Sequence, residues 1–345
     1  MSIIRPLEDE IRKFAYELFK RRGGEHGWDV ADWLLAERAV TFHKNYERLN
    51  LYRFDNEQKI WIGSGEPQIC RFCGRQSPEV SFLEEAHAVP AFLGNRTVFI
   101  LDECDQCNGF FGRFVEDHFA KLLAGARTLM TIHGRDGVPS YKTNDKLTRI
   151  DYRSGAMTAK LGPGDPIVDI DMTKRLATFQ LETQSHIPLA VYKCFAKIAI
   201  SVLPKDELRH FAKTLRWILD SHHARQAAHF GNAFVNVWVS PGKFPARYGW
   251  VEVFRRKYDS LTIPYIVLIV VVMNFTFQIY VPLCDRDQHL VGQKCTLPFF
   301  PGGIHVIGFA CGETLLWRLP LGSAAQASIP FEAKVTMVGA VRRSG

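Results

Sequence analysis

The spacing of apolar side chains divides the chain into a helical start, a mixed middle and a strand-rich end. In residues 7–21, Ile11, Phe14, Ala15, Leu18 and Phe19 recur at helical intervals, with acids early and Lys20 and Arg21 late, as the helix dipole favours. Gly23-Gly24 ends this helix. A second one is predicted from Asp29, whose carboxylate can cap the first free amides, with Trp33, Leu34 and residues 36–40 as its apolar face.

Residues 46–66 are aromatic and polar, with Tyr52 and Trp61 in short strand-like runs. Residues 80–83 predict a short strand, Gly94-Asn95 a turn, 97–101 the returning strand, and 108–123 a helix. Strands follow at 147–153 and 157–161 around Ser154-Gly155, then a loop at 162–166 and a strand at 177–182. Pro188 opens a helix to Val202 with Leu189, Tyr192, Phe195, Ala199 and Val202 facing the core. Lys193 and Lys197 share the adjacent side and read as a solvated face. Another helix is predicted from Pro204 to about Asp220.

Beyond residue 226 the pattern is β, with strands predicted at 233–239, 250–255, 265–272 and 275–281. Ile266 to Val272 is apolar on both faces, which predicts a central, covered strand. The expected class is α+β. A helical hairpin spans 1–45, a metal finger unit 46–130, an α/β connecting region 131–225, and a β-rich domain 226–345.

Composition changes this picture little, since 47% hydrophobic and 23% charged residues suit a globular protein. The excess of 43 Lys and Arg over 36 Asp and Glu is compatible with a polyanionic partner. Charges near the N-terminus argue against a signal peptide. The longest apolar run, Ile263 to Met273, contains Pro264 and falls short of the ~20 residues a spanning helix needs. A cytoplasmic protein with no membrane segment is expected. In a reducing compartment, C-x-x-C pairs hold metal more often than they form disulfides.

Two such pairs, Cys70/Cys73 and Cys104/Cys107, supply four thiolates for a tetrahedral, structural zinc site. Cys194, Cys284, Cys295 and Cys311 are scattered and read as free thiols, mostly buried. His222, His223 and His229 cluster without a recognisable metal spacing. Between the cysteine pairs lie His87, three residues before Pro90, and then Asn108 directly after Cys107. The order is strand, histidine, turn, strand, helix. So small a unit depends on its metal for much of its folding energy.

The pattern C-x-x-C, E-H-x-x-P-like, C-x-x-C-N over residues 70–119 resembles the HNH endonuclease family in its four-cysteine ββα-metal form. The N-terminal hairpin resembles a small bacterial family of unknown function and implies no chemistry. The HNH resemblance implies cleavage of DNA phosphodiester bonds, with His87 as general base and Asn108 as a ligand of the catalytic divalent ion. Neutral imidazole suits deprotonation of the attacking water. Mg²⁺ or Mn²⁺ takes oxygen ligands and neutralises charge developing on the phosphate.

The sequence departs from the family where an acidic or histidine ligand usually precedes the catalytic histidine, because Ala86 stands there. Glu116, two helical turns beyond Asn108, is the favoured substitute, with Glu85 in reserve and Glu84 beside it. Arg71, Arg75, Arg96, Arg113 and Lys121 are candidate phosphate contacts, with double-stranded DNA the expected substrate. The region after the finger is expected to bind an activating protein or ligand and restrain the nuclease, as in a bacterial defence enzyme. The alternative is a zinc-stabilised nucleic-acid-binding or assembly module without catalysis.

Overall fold

The N-terminal apolar stripe closes on itself. Helices α1 (Ile4–Arg21) and α2 (Asp29–Asn45) pack through Ile11, Leu18 and Ala36. Trp28 rather than Asp29 occupies the N-cap of α2, with no side-chain cap bond, so Asp29 acts only through its charge at the positive helix end. The computed structural model describes residues 4–143, 145–162, 167–223, 233–242, 244–245, 247–293, 295–302 and 314–336. His229, Cys311 and residues 163–166 of the expected loop lie outside the described residues.

α2 runs straight into β1 (Tyr46–Arg53). The finger follows, with β2 (Ile60–Ile62), β3 (Ala86–His87), β4 (Val98–Ile100) and α3 (Asp105–Phe111). A π-turn at Gly112–Glu116 joins α3 to α4 (Asp117–Leu122), and α5 (Ala124–Leu129) ends this stretch. β4 lies between β2, parallel to it, and β3, antiparallel to it. The connecting region forms β5 (Tyr141–Lys142), β6 (Arg149–Arg153), β7 (Ala156–Lys160), β8 (Val168–Asp171) and β9 (Leu176–Glu182), then α6 (Pro188–Val202) and α7 (Ala212–Ile218). The β-rich part supplies β10 (Phe234–Val239), β11 (Gly249–Arg256), β12 (Ile266–Val272), β13 (Phe275–Tyr280), β14 (Leu315–Pro320) and β15 (Pro330–Thr336).

The largest sheet is antiparallel in the order β1-β11-β12-β13-β10-β14. β12 is buried at every position, as its unbroken apolar run predicts. Ile266, Leu268 and Val270 belong to the core that also contains α6 and the finger. Val267, Ile269 and Val271 pack on the other side with Phe42, Tyr46, Trp250 and Phe254. β1, from the segment assigned by sequence to the finger unit, therefore pairs with β11, and one core runs from finger to sheet. β15 pairs with β9 in a second, smaller sheet.

Three expectations are corrected. Every residue of α6 is buried, including Lys193 and Lys197, so neither lysine lies on a solvated face. The helix expected from Pro204 to Asp220 is a 3-10 turn at Leu208–His210 followed by the short α7. Residues 80–83 form no strand, because the Asp105 carboxylate accepts the amides of Leu83 and Glu84 that a ladder would use.

Candidate active site and metal centre

The first C-x-x-C makes a tight knuckle. Gly74 donates its amide to the Cys70 carbonyl at 2.8 Å and has φ +72°, a conformation glycine adopts without strain. The second pair opens α3, with Cys104 at the N-cap and Cys107 inside the first turn. The four sulfurs lie within 4.8 Å of one another, and Cys73 and Cys104 are 3.8 Å apart. Four arms of about 2.3 Å give a tetrahedron with edges of about 3.8 Å, so this spacing suits zinc. Without a cation the thiols share protons unevenly. A hydrogen bond from Cys107 pulls Cys70 down to about 5, while burial pushes Cys104 up to about 12. A dication in the middle removes this conflict by stabilising all four thiolates.

The knuckle and α3 hold the segment before β3. Asp105 takes the amides of Leu83 and Glu84 at 3.0–3.1 Å and donates its own amide to Ser81 at 2.9 Å. This turns Glu84 toward the helix, where its Oε2 accepts a hydrogen bond from Asn108 Nδ2 at 2.8 Å. Asn108 lies one turn inside α3, since the helix begins at Asp105 rather than at Asn108. Its Oδ1 and the second oxygen of Glu84 have no partner among the described residues.

His87 stands half-buried on β3, its ring 4.7 Å from that of Phe99 on β4. Desolvation and then the charges of Arg135, Lys197 and Arg96 pull its pKa down to about 4. The imidazole is therefore neutral near pH 7. Its backbone carbonyl accepts a hydrogen bond from Lys197 Nζ at 3.0 Å, reaching across from α6. The same ammonium lies 3.1 Å from Glu103 and 3.4 Å from Glu116. Burial, moderated by Lys197, raises Glu103 to about 7, and the two carboxylates hold Lys197 above its usual value despite its own burial.

Residues 70–124 match the HNH endonuclease family. The match covers the cysteine tetrad, β3, β4, α3 and α4, and at family level it describes a nuclease with a nucleic-acid substrate. Residues 6–41, the helical hairpin, match a family described as a protein of unknown function. No curated protein and no solved structure shows a significant match to the chain.

Around the HNH finger, the residues singled out by sequence fall into distinct groups. The four cysteines converge, and among the described residues they form the one cluster of three or more Cys, His, Asp or Glu able to hold an ion. Glu85 pairs with Lys59 at 2.9 Å, and Glu116 turns to Lys197, so only Glu84 among the three candidate acids contacts Asn108. Arg71 is withdrawn as a phosphate contact. Its side chain is 2% exposed, paired with Asp102 at 2.7 Å, and also donates to the carbonyls of Ile200 and Ser201. Arg75 and Arg113 are exposed, Arg96 donates to the Gly134 carbonyl, and Lys121 pairs with Asp117. Lys197 and Glu103 escaped the sequence reading as site residues. The available signal was α6 itself, apolar on all sides, which marks a helix buried all round.

Among the described residues, no helix is long and apolar enough to cross a membrane.

Proposed function

We propose that this protein is a metal-dependent endonuclease that hydrolyses DNA phosphodiester bonds, with zinc in the cysteine tetrad and a catalytic Mg²⁺ or Mn²⁺ beside Asn108. The hydrogen bond between Glu84 and Asn108 carries the reading, because it gathers two hard oxygen donors near the histidine strand. It also orients the Asn108 amide, leaving Oδ1 outward as a ligand while Nδ2 is engaged. Glu84 thereby supplies the acidic group that Ala86 cannot.

His87 is the general base in this mechanism. Its neutral ring can take the proton of a water attacking phosphorus, and the Lys197 bond to its carbonyl fixes the strand that carries it. A bound divalent ion supplies charge neutralisation at the phosphate oxygens and the leaving oxygen. The tetrad acts at a distance, by clamping the β3 segment against α3. Cleavage then leaves 5′-phosphate and 3′-hydroxyl ends, following the family's chemistry. A cytoplasmic setting, a defence role and restraint by the C-terminal part belong to the same proposal.

The test compares wild type with His87→Ala on plasmid DNA in Mg²⁺ and in Mn²⁺, with zinc content measured in both proteins. Wild type is expected to nick and linearise the plasmid. His87→Ala is expected to lose at least about 100-fold in rate, the lower range of general-base contributions, with its zinc unchanged. Equal cleavage by the two proteins refutes the mechanism. Binding without cleavage by wild type supports the non-catalytic module.

A further inference from the structure

A second group of cations lies beside the HNH finger and outside the proposed chemistry. Ala91, Phe92, Glu116, Arg127 and the turn at residues 134–139 line a cleft of about 340 Å³. Arg127 comes from α5 and is only 7% exposed, yet its guanidinium has no acidic partner among the described residues, and its buried Nε makes no hydrogen bond. It lies over the ring of Phe92, 5.4 Å from the centroid. Burial alone lowers it to about 10.

The turn is built to admit this side chain. The amides and carbonyls of Gly134 and Gly137 bond to each other at 2.8 and 3.2 Å, and Arg96 ties down the Gly134 carbonyl. A Cβ on Gly134 would stand 2.7 Å from Arg127 Nη2, so the guanidinium occupies the space a side chain there would take. Arg135 is exposed at the rim. Two acids also line the cleft, Glu116, which is engaged by Lys197, and the exposed Asp136.

A buried charge without a counter-ion is costly, and a planar guanidinium is suited to paired hydrogen bonds with a phosphate. We propose that this cleft binds a phosphate group through Arg127, assisted by Arg135, and that the occupant is a backbone phosphate of the nucleic-acid strand presented to His87. The choice of occupant rests on the nuclease reading. It is supported by the position of Arg135, close enough to His87 to depress its basicity, and by Glu116, which lines the cleft while ion-paired with the lysine that holds the His87 carbonyl.

The test uses the full, zinc-loaded chain without added catalytic metal and measures binding of a short labelled duplex by fluorescence anisotropy across a salt series. Arg127→Gln is expected to weaken binding about 10-fold and to make the slope of log affinity against log salt shallower by about one, the loss of roughly one phosphate contact. Its Tm should be unchanged or higher, since it removes an unpaired buried charge. Arg135→Gln, at an exposed position that leaves folding intact, should weaken binding by a smaller factor. Unchanged affinity and slope in both variants overturn the proposal, as does a wild type that binds neither duplex nor inorganic phosphate. A phosphate-induced rise in Tm that Arg127→Gln abolishes, with duplex binding unaltered, overturns the nucleic-acid occupant and reassigns the cleft to free phosphate. Because no cleavage is scored, a wild type that binds and never cuts refutes the nuclease reading alone. A wild type that cuts, with both variants binding normally, refutes the phosphate site alone.

Discussion

Lys197→Met removes the ammonium that faces Glu103 at 3.1 Å, Glu116 at 3.4 Å and the His87 carbonyl at 3.0 Å. Methionine fills similar space, so the loss is chiefly electrostatic. Glu103 is buried, and removing one member of a buried ion pair typically costs about 3–5 kcal/mol. With unfolding entropy of about 2.1 cal/mol/K per residue, a chain of 345 residues should lose about 4–7 °C in Tm. Adding Glu103→Gln removes the stranded carboxylate, so the double variant should recover about half of that deficit or more. Thermal unfolding followed by far-ultraviolet circular dichroism in zinc-replete buffer measures both. A Lys197→Met Tm within about 1 °C of wild type, or a double variant no more stable than the single one, refutes the assignment of Lys197 as the counter-charge beneath the finger.

Glu84→Gln should weaken Mn²⁺ binding by about 10-fold or more, measured as free Mn²⁺ by electron paramagnetic resonance, whereas Glu116→Gln should leave it within about 3-fold. The opposite ranking restores Glu116 as the ligand. Cys107→Ser should abolish zinc binding by the purified protein and lower its Tm, read by elemental analysis and circular dichroism. Burial, with Lys193 and His118 nearby, lowers His223 to about 4, and burial also lowers His118, whose ring centroid is 5.8 Å away. A lowered His223 contributes stability that is complete above about pH 6.5 and declines as pH falls from there toward 4, and the lowered His118 adds a loss of the same sign. His223→Gln should flatten the dependence of Tm on pH across that window, and an unchanged slope contradicts the assignment.

The legible parts of the sequence were those with a local cause. The paired cysteines needed only their spacing, and β12 only its unbroken apolar run. The companions of those cysteines depend on distant chain. Arg71 looks like any basic residue near a phosphate site until Asp102 and the end of α6 surround it. Lys197 follows the same logic, because its neighbours come from positions 87, 103 and 116. The strand expected at 80–83 lost its ladder to one carboxylate, a competition that β propensity does not register. The Asn108–Glu84 hydrogen bond depends on the turn that Asp105 holds, which helical periodicity, the basis for favouring Glu116, does not register. Eight residues of helix amount to about 12 Å of rise, which places Glu116 far along the axis from Asn108.

The pairing of β1 with β11 has a consequence for the order of events on the ribosome. At roughly 5–20 residues per second, β1 waits on the order of 10–40 s after synthesis before its partner strand exists. The finger emerges in that interval with its cysteines complete, but α6, which brings Lys197 to the His87 carbonyl, has yet to be made. A nascent chain interrupted before α6 therefore has His87 and Asn108 without the lysine that holds the His87 carbonyl. The final setting of the histidine strand is tied to translation proceeding well beyond it.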